Sequence, residues 1–150
     1  MGDDEQTSSE FEHETRIRNY YSQNIARLRP GERLLDTEHS YPGNRLRVDM
    51  RTVDTYNCIR EWEFKITADY KALGQILTYV ALSRQHYQFR RTVRGVVAAF
   101  TFMPEVVTAI EVMNLGIELV TIPPSMRFAG NIPADQTPHA SIVDIPVDDK

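Results

Sequence analysis

A chain of 150 residues, 41% hydrophobic and 25% charged, can bury the core of one soluble domain, and no stretch of it is long or apolar enough to cross a bilayer. Its single cysteine, Cys58, excludes an internal disulfide, a thiolate zinc cage and an iron–sulfur cluster. With the acidic, polar opening MGDDEQTSSE, which lacks the features of a signal peptide, this indicates an intracellular, cytoplasmic protein.

The net charge of −4 is unevenly spread. Asp3, Asp4, Glu5 and Glu10 at one end, with Asp144, Asp148 and Asp149 against Lys150 at the other, leave about +2 for the middle. Phosphate binding is neither excluded nor demonstrated by that balance. In chain order, residues 1–10 read as a flexible acidic tail, 11–125 as one domain, and 126–150, with Pro133, Pro138 and Pro146, as a C-terminal extension or tail. The segment FEHETRIRNYYSQNIARL places Ile17, Tyr20, Tyr21, Ile25 and Leu28 at helical spacing, and Pro30-Gly31 stops it. ERLLDTEHSY, RLRVDMRTV and NCIREWEFKI are three strand candidates separated by turns at 42–44 and 54–57. Thr67 is a candidate cap for the helix ADYKALGQILTYVALSRQ, whose Leu73, Ile76, Leu77, Val80 and Ala81 form an apolar stripe. VRGVVAAF reads as a strand covered on both faces. A helix opened by Pro104 and closed by Gly116 follows, then the strand candidate GIELVTI. The order αβββαβαβ predicts an α/β fold, a mixed sheet flanked by helices.

Within the third strand, EWEFK sets Glu61, Glu63 and Lys65 on one face and Trp62 and Phe64 on the other. The plain reading of that row is a solvated face with cross-strand ion pairs. Flanked by Val48, Trp62, Phe64 and Ile66, however, the strand reads as central, where unpaired charge costs several kcal/mol. Asp49, on the neighbouring antiparallel strand, can approach Glu63. Two carboxylates about 4 Å apart repel by roughly 4 kcal/mol at an effective dielectric near 20. A divalent cation between them reverses that sign, and hard oxygen ligands suit Mg²⁺ or Mn²⁺. Lys65, on the same face, can hold or deprotonate a water and offset charge on a phosphate. The set describes metal-dependent phosphodiester hydrolysis, although D-x13-E-x-K alone is a weak pattern.

VD at 48–49 with EFK at 63–65 resembles the PD-(D/E)XK nuclease superfamily, which implies a restriction-endonuclease-like αβββαβ core. ALGQILTY at 72–79 is similar to the QxxxY helix of RecB-like nucleases. ETRIRNYYSQNIARLRPG at 14–31, that helix, and VRGVVAAF…GIELV together resemble the catalytic domain of the endonuclease NucS, over residues 14 to about 122. The resemblance implies that Asp49 and Glu63 bind the metal with the main-chain carbonyl of Phe64, that Glu14 joins the acidic cluster, and that Lys65 is the catalytic lysine. It also implies that Gln75 and Tyr79 orient Lys65 or touch the substrate phosphate. From spacing alone, Glu14 fits a solvated helix surface and Gln75 with Tyr79 fits a hydrogen-bonded pair at a helix edge. Val48 stands where the motif has proline. NucS also carries an amino-terminal DNA-binding and dimerisation domain, where this chain has a short acidic segment.

The expected activity is that of a Mg²⁺- or Mn²⁺-dependent DNA endonuclease acting on single-stranded, branched or duplex DNA. Cutting both strands of a duplex needs a homodimer or two visits. A non-catalytic binding or assembly module of the same fold, and an RNase, are the alternatives. Trp62, Phe64 and Cys58 read as core. His13, His39, His86 and His139 have no metal-ligand spacing. Arg84, Arg90, Arg91 and Arg94, beside Tyr87 and Phe89, fit either a nucleic-acid grip or a solvated helix end.

Overall fold

The computed structural model describes residues 2–43 and 46–133. Three antiparallel strands, β1 (Arg33–Ser40), β2 (Arg47–Val53) and β3 (Ile59–Ala68), are followed by α3 (Tyr70–His86), β4 (Val93–Phe102), α4 (Pro104–Val112) and β5 (Ile117–Thr121). The helices α1 (Gly2–Gln23) and α2 (Ile25–Leu28) precede them. One five-stranded sheet in the order β1-β2-β3-β4-β5 results, with β3, β4 and β5 parallel. The expected αβββαβαβ order is therefore present, in a mixed sheet with helices on both faces.

Alternation decides which side chain meets which helix. Even-numbered Met50, Trp62, Phe64, Val96 and Ala98 pack with Ile17 and Tyr21 of α1. Odd-numbered Val97 and Ala99 pack with Ile76 and Tyr79 of α3 and with Val106 and Ile110 of α4. β4 is thus covered on both faces, as its unbroken apolar run requires. Trp62 and Phe64 are core residues, stacked at 5.7 Å, with the Trp62 indole N–H donating to Thr52 at 3.0 Å. Gly95 lets α3 close onto β4: a Cβ there would lie 2.7 Å from Cγ1 of Ile76.

Several boundaries differ from expectation for identifiable chemical reasons. The first helix does not run unbroken to Leu28. The Asn24 side-chain amide donates to the Tyr20 carbonyl at 2.8 Å, while its backbone N–H turns to Tyr21 at 3.2 Å, and this competition ends α1. Helical backbone begins at Gly2 and runs through the acidic stretch expected as a tail. Thr67 does not cap α3: β3 runs on to Ala68, Thr67 bonds Thr101 across the sheet at 3.0 Å, and Asp69 caps by accepting from the Ala72 N–H at 2.9 Å. In the expected C-terminal extension, Met126 and Ile132 are buried against the α1-side core, and the Met126 carbonyl lies 2.9 Å from Nε2 of His13. Residues 134–150, including His139, lie outside the described residues.

Candidate active site

The β2–β3 ladder runs from Val53↔Ile59 to Met50↔Trp62 and stops. On its other side β3 stays paired with β4 as far as Ala68↔Phe102. Main-chain donors of β3 beyond Trp62 that would have met β2 still need acceptors. Carboxylates supply them: the Phe64 N–H donates to Oδ2 of Asp49 at 2.8 Å, and the Ile66 N–H to Oε2 of Glu14 at 2.9 Å. The end of the ladder therefore opens the sheet edge and lines the opening with acids from two further elements.

A cleft of about 630 Å³ occupies this opening. Glu14 from α1, Asp49 from β2, Glu63 and Lys65 from β3, and Gln75 and Tyr79 from α3 all line it. Every side chain expected at the site is thus gathered in one cavity. Phe64 is not among the cleft-lining residues: its ring is 1% exposed in the core, and its N–H meets Asp49. Arg18, Arg47 and Lys71 also line the cleft and were not singled out from sequence. Arg18 was detectable, lying four residues after Glu14 on the same helical face; Oε1 of Glu38 holds it at 3.2 Å.

Electrostatics single out the Asp49–Glu63 pair. Burial, and then the neighbouring Asp49 carboxylate, push the Glu63 carboxyl well above its ordinary range. Burial also raises Asp49, but the bonds it accepts from Glu63 and from the Phe64 N–H, with the charge of Lys65, oppose that rise. The two carboxyls therefore titrate as a pair, with Glu63 the more strongly raised of the two. Glu14 is raised by burial, against the Ile66 N–H and Lys65. Burial and the charges of Glu63 and Asp49 raise the Tyr79 phenol, which stays a neutral donor facing Glu63. Two acceptors are left over: Oε2 of Glu63 and Oε1 of Gln75 are buried without a hydrogen-bond partner. Such orphaned oxygens are costly unless a donor or cation meets them.

Among the described residues no three His, Cys, Asp or Glu side chains form a metal cage. Glu14 lines the same cleft but does not complete a trio with the pair. Mg²⁺ is commonly held by one or two carboxylates, with waters and substrate phosphates filling its other positions. The Asp49–Glu63 pair, with an oxygen of Glu63 unclaimed, fits that donor set.

Glu61 does not belong to this group. It is fully buried one cross-strand pair further along the same face, opposite Arg51. Its Oε2 lies 3.3 Å from Nε of Arg51, and the Tyr41 hydroxyl donates to its Oε1. The Tyr87 hydroxyl accepts from Arg51 at 2.6 Å. The charged row of EWEFK thus divides into a buried ion pair and an open site. His39 is bound to Asp36 at 2.8 Å and is not among the cleft-lining residues.

No protein-family model and no curated protein sequence matches the chain. Solved structures do. A repair endonuclease from Pyrococcus abyssi superposes with a TM-score of 0.62 at 24% identity over 72% of this chain and 46% of that one. The endonuclease EndoMS in complex with double-stranded DNA superposes at 0.58, with 21% identity over 71% and 44% of the two chains, and EndoMS in its apo form at 0.54 with 20% identity. The chain spans less than half the length of these proteins. The five-stranded mixed sheet and its flanking helices share the fold of these solved structures.

Proposed function

We propose that this protein is a divalent-metal-dependent nuclease that hydrolyses phosphodiester bonds in DNA. The observation that carries the reading is the Asp49–Glu63 pair, Glu63 buried with an unpartnered oxygen, beside Lys65 in the opened sheet edge. Asp49 and Glu63 would hold Mg²⁺ or Mn²⁺, aided by the Phe64 carbonyl and, from across the cleft, Glu14. A bound ion supplies Lewis acidity toward a phosphate oxygen and lowers the pKa of water. Lys65 holds the attacking water and offsets the charge that builds on phosphorus as the new P–O bond forms and the bond to the leaving sugar oxygen breaks. Tyr79, a neutral hydroxyl donor, keeps Glu63 in place, and Gln75 orients Lys65 or meets a phosphate oxygen. Arg47 and Lys71, both exposed at the cleft, are suited to the flanking phosphates. That EndoMS, with the same fold, was solved on double-stranded DNA supports DNA as the substrate.

The test is incubation of the purified chain with plasmid, single-stranded, branched and RNA substrates, with Mg²⁺, Mn²⁺ or EDTA. Metal-dependent cutting of DNA that Glu63→Ala and Lys65→Ala abolish is the expected result. Equal cutting by the variants overturns the reading, and cutting confined to RNA replaces DNA by RNA as the substrate.

A further inference from the structure

At the opposite end of β3 from the cleft, two loops meet. The β2–β3 turn at 54–57 and the segment 87–92 after α3 are joined by Ile59 N–H to Thr92 carbonyl at 2.9 Å and by Arg91 to the Asn57 carbonyl at 3.4 Å. The α3 end is a Schellman cap: Phe89 N–H donates to the Arg84 carbonyl at 2.8 Å, and Gln88 N–H to that of Gln85 at 3.0 Å. Its αL position is usually glycine, yet Gln88 takes it with φ 55°, and Phe89 follows with φ 59°. Positive φ at a bulky aromatic is an outlier that invites a functional explanation. The hydrophobe at this place in such a cap normally folds back onto its helix. Phe89 does not, being 76% exposed, and in the adjoining turn Tyr56 is 90% exposed.

Charge at this end is positive. Arg84 and Arg94 are exposed, and neither takes part in an ion pair among the described residues. The nearby acids are committed elsewhere: Asp54 to Arg60 at 2.7 Å, and Glu118 to Arg60 and Arg29 at 2.6 and 2.8 Å. Between this end and the cleft runs α3, with no acidic residue from Tyr70 to His86 and an exposed side of Lys71, Gly74, Thr78, Ala81 and Gln85.

We propose that the loops carrying Phe89 and Tyr56, with Arg84 and Arg94, form a second binding surface for a single strand of nucleic acid that leaves the cleft along α3. Exposed rings stack on bases without regard to sequence, and arginines beside them take the phosphates. Six steps along β3 lead from Ile59 to Lys65, so the surface lies about 20 Å from the site, roughly six nucleotides at the spacing of a duplex strand. This surface rests on the reading that the cleft acts on nucleic acid.

The test is fluorescence anisotropy with a labelled single-stranded DNA of about 20 nucleotides, in EDTA so that nothing is cut. Tyr56→Ser with Phe89→Gly should weaken binding at least about fivefold, and Arg84→Ala with Arg94→Ala should weaken it and flatten its salt dependence. Phe89→Gly alone should melt at or above the unsubstituted protein, because glycine accepts the left-handed backbone freely. Binding by both double variants equal to that of the unsubstituted protein overturns the surface. No binding by the unsubstituted protein overturns it too. An unsubstituted protein that binds this strand but cuts no nucleic acid with Mg²⁺ or Mn²⁺ overturns the proposed function and leaves the surface standing.

Discussion

Arg51→Met is the most informative single change for the fold beneath the site. Arg51 is 1% exposed, and its guanidinium meets Glu61, the Tyr87 hydroxyl and, at 3.5 Å, Asp36. Removing it leaves a fully buried Glu61 with the Tyr41 and Ser83 hydroxyls beside it but without its buried cation. Breaking a buried pair from one side costs about 3–5 kcal/mol, whereas replacing both partners with apolar residues of similar volume is often neutral or stabilising. At about 2–4 °C per kcal/mol for a chain of this size, the single variant should melt roughly 6–20 °C lower. Arg51→Met with Glu61→Leu should recover most of that loss, making the two changes strongly non-additive. Burial holds the Glu61 carboxyl above its ordinary range even opposite Arg51, so the single variant's deficit should shrink in acid as Glu61 takes up a proton. Urea denaturation of the four proteins of this cycle, near neutral pH and in acid, reads all three effects. A loss below about 1 kcal/mol for Arg51→Met, with simple additivity in the double variant, would refute the view that Glu61 depends on Arg51.

Other expectations concern the site and its supports. Glu63 has a folded-state pKa raised well above 4.5, and Asp49 is raised above 3.8, so the folded chain holds protons that the unfolded chain has released. Their stabilisation is full below about pH 4 and is lost as pH rises through the folded values; metal-free protein should therefore melt lower at about pH 8 than at about pH 5, and Glu63→Gln should flatten that slope. Lys65→Ala should lower the cleavage rate by at least about a hundredfold while leaving the melting temperature within a few degrees, and a rate close to wild type would remove Lys65 from the chemistry. Gly95→Ala should cost about 1–3 kcal/mol, because its Cβ would press on Ile76 at 2.7 Å and on Val80 and Ile117 at 3.1 Å; a neutral result in thermal melts would show that α3 can shift away from β4.

Local pattern was enough for much of the fold. Alternation in EWEFK placed Trp62 and Phe64 in the core, the apolar VRGVVAAF announced a strand covered on both faces, and Pro104 marked the start of a helix. Apart from the break at Asn24, the misplaced features depend on partners distant in sequence. Whether Thr67 ends a strand or starts a helix is decided by Thr101, 34 residues away, and Ala68 remains in register with Phe102. Glu61 and Glu63 are equivalent by alternation. They differ only because Arg51 stands opposite one, whereas the ladder has already ended beside the other. Glu14 has no local signature, since its contact with Ile66 spans 52 residues.

Glu14 shows how structural and catalytic demands can fall on one side chain. Its carboxyl is half-buried in the cleft that Asp49 and Glu63 also line, and burial and repulsion from Asp49 disfavour its charged form. The Ile66 N–H, deprived of a strand partner, offsets part of that cost, and Lys65 offsets more. Glutamine at this position keeps a carbonyl acceptor for Ile66 but loses the charge; alanine loses both. If Glu14 serves only the strand edge, Glu14→Gln should keep both stability and Mn²⁺ affinity, with Glu14→Ala alone destabilised by about 1–3 kcal/mol for the stranded donor. If it also serves the ion, Glu14→Gln should bind Mn²⁺ about tenfold more weakly in calorimetry at unchanged melting temperature, a loss of roughly 1.4 kcal/mol. The second outcome is expected, because a third carboxylate lining the same cleft as Asp49 and Glu63 is better accounted for by a cation than by a single amide. Equal Mn²⁺ affinity in Glu14→Gln and wild type would return Glu14 to a purely structural role.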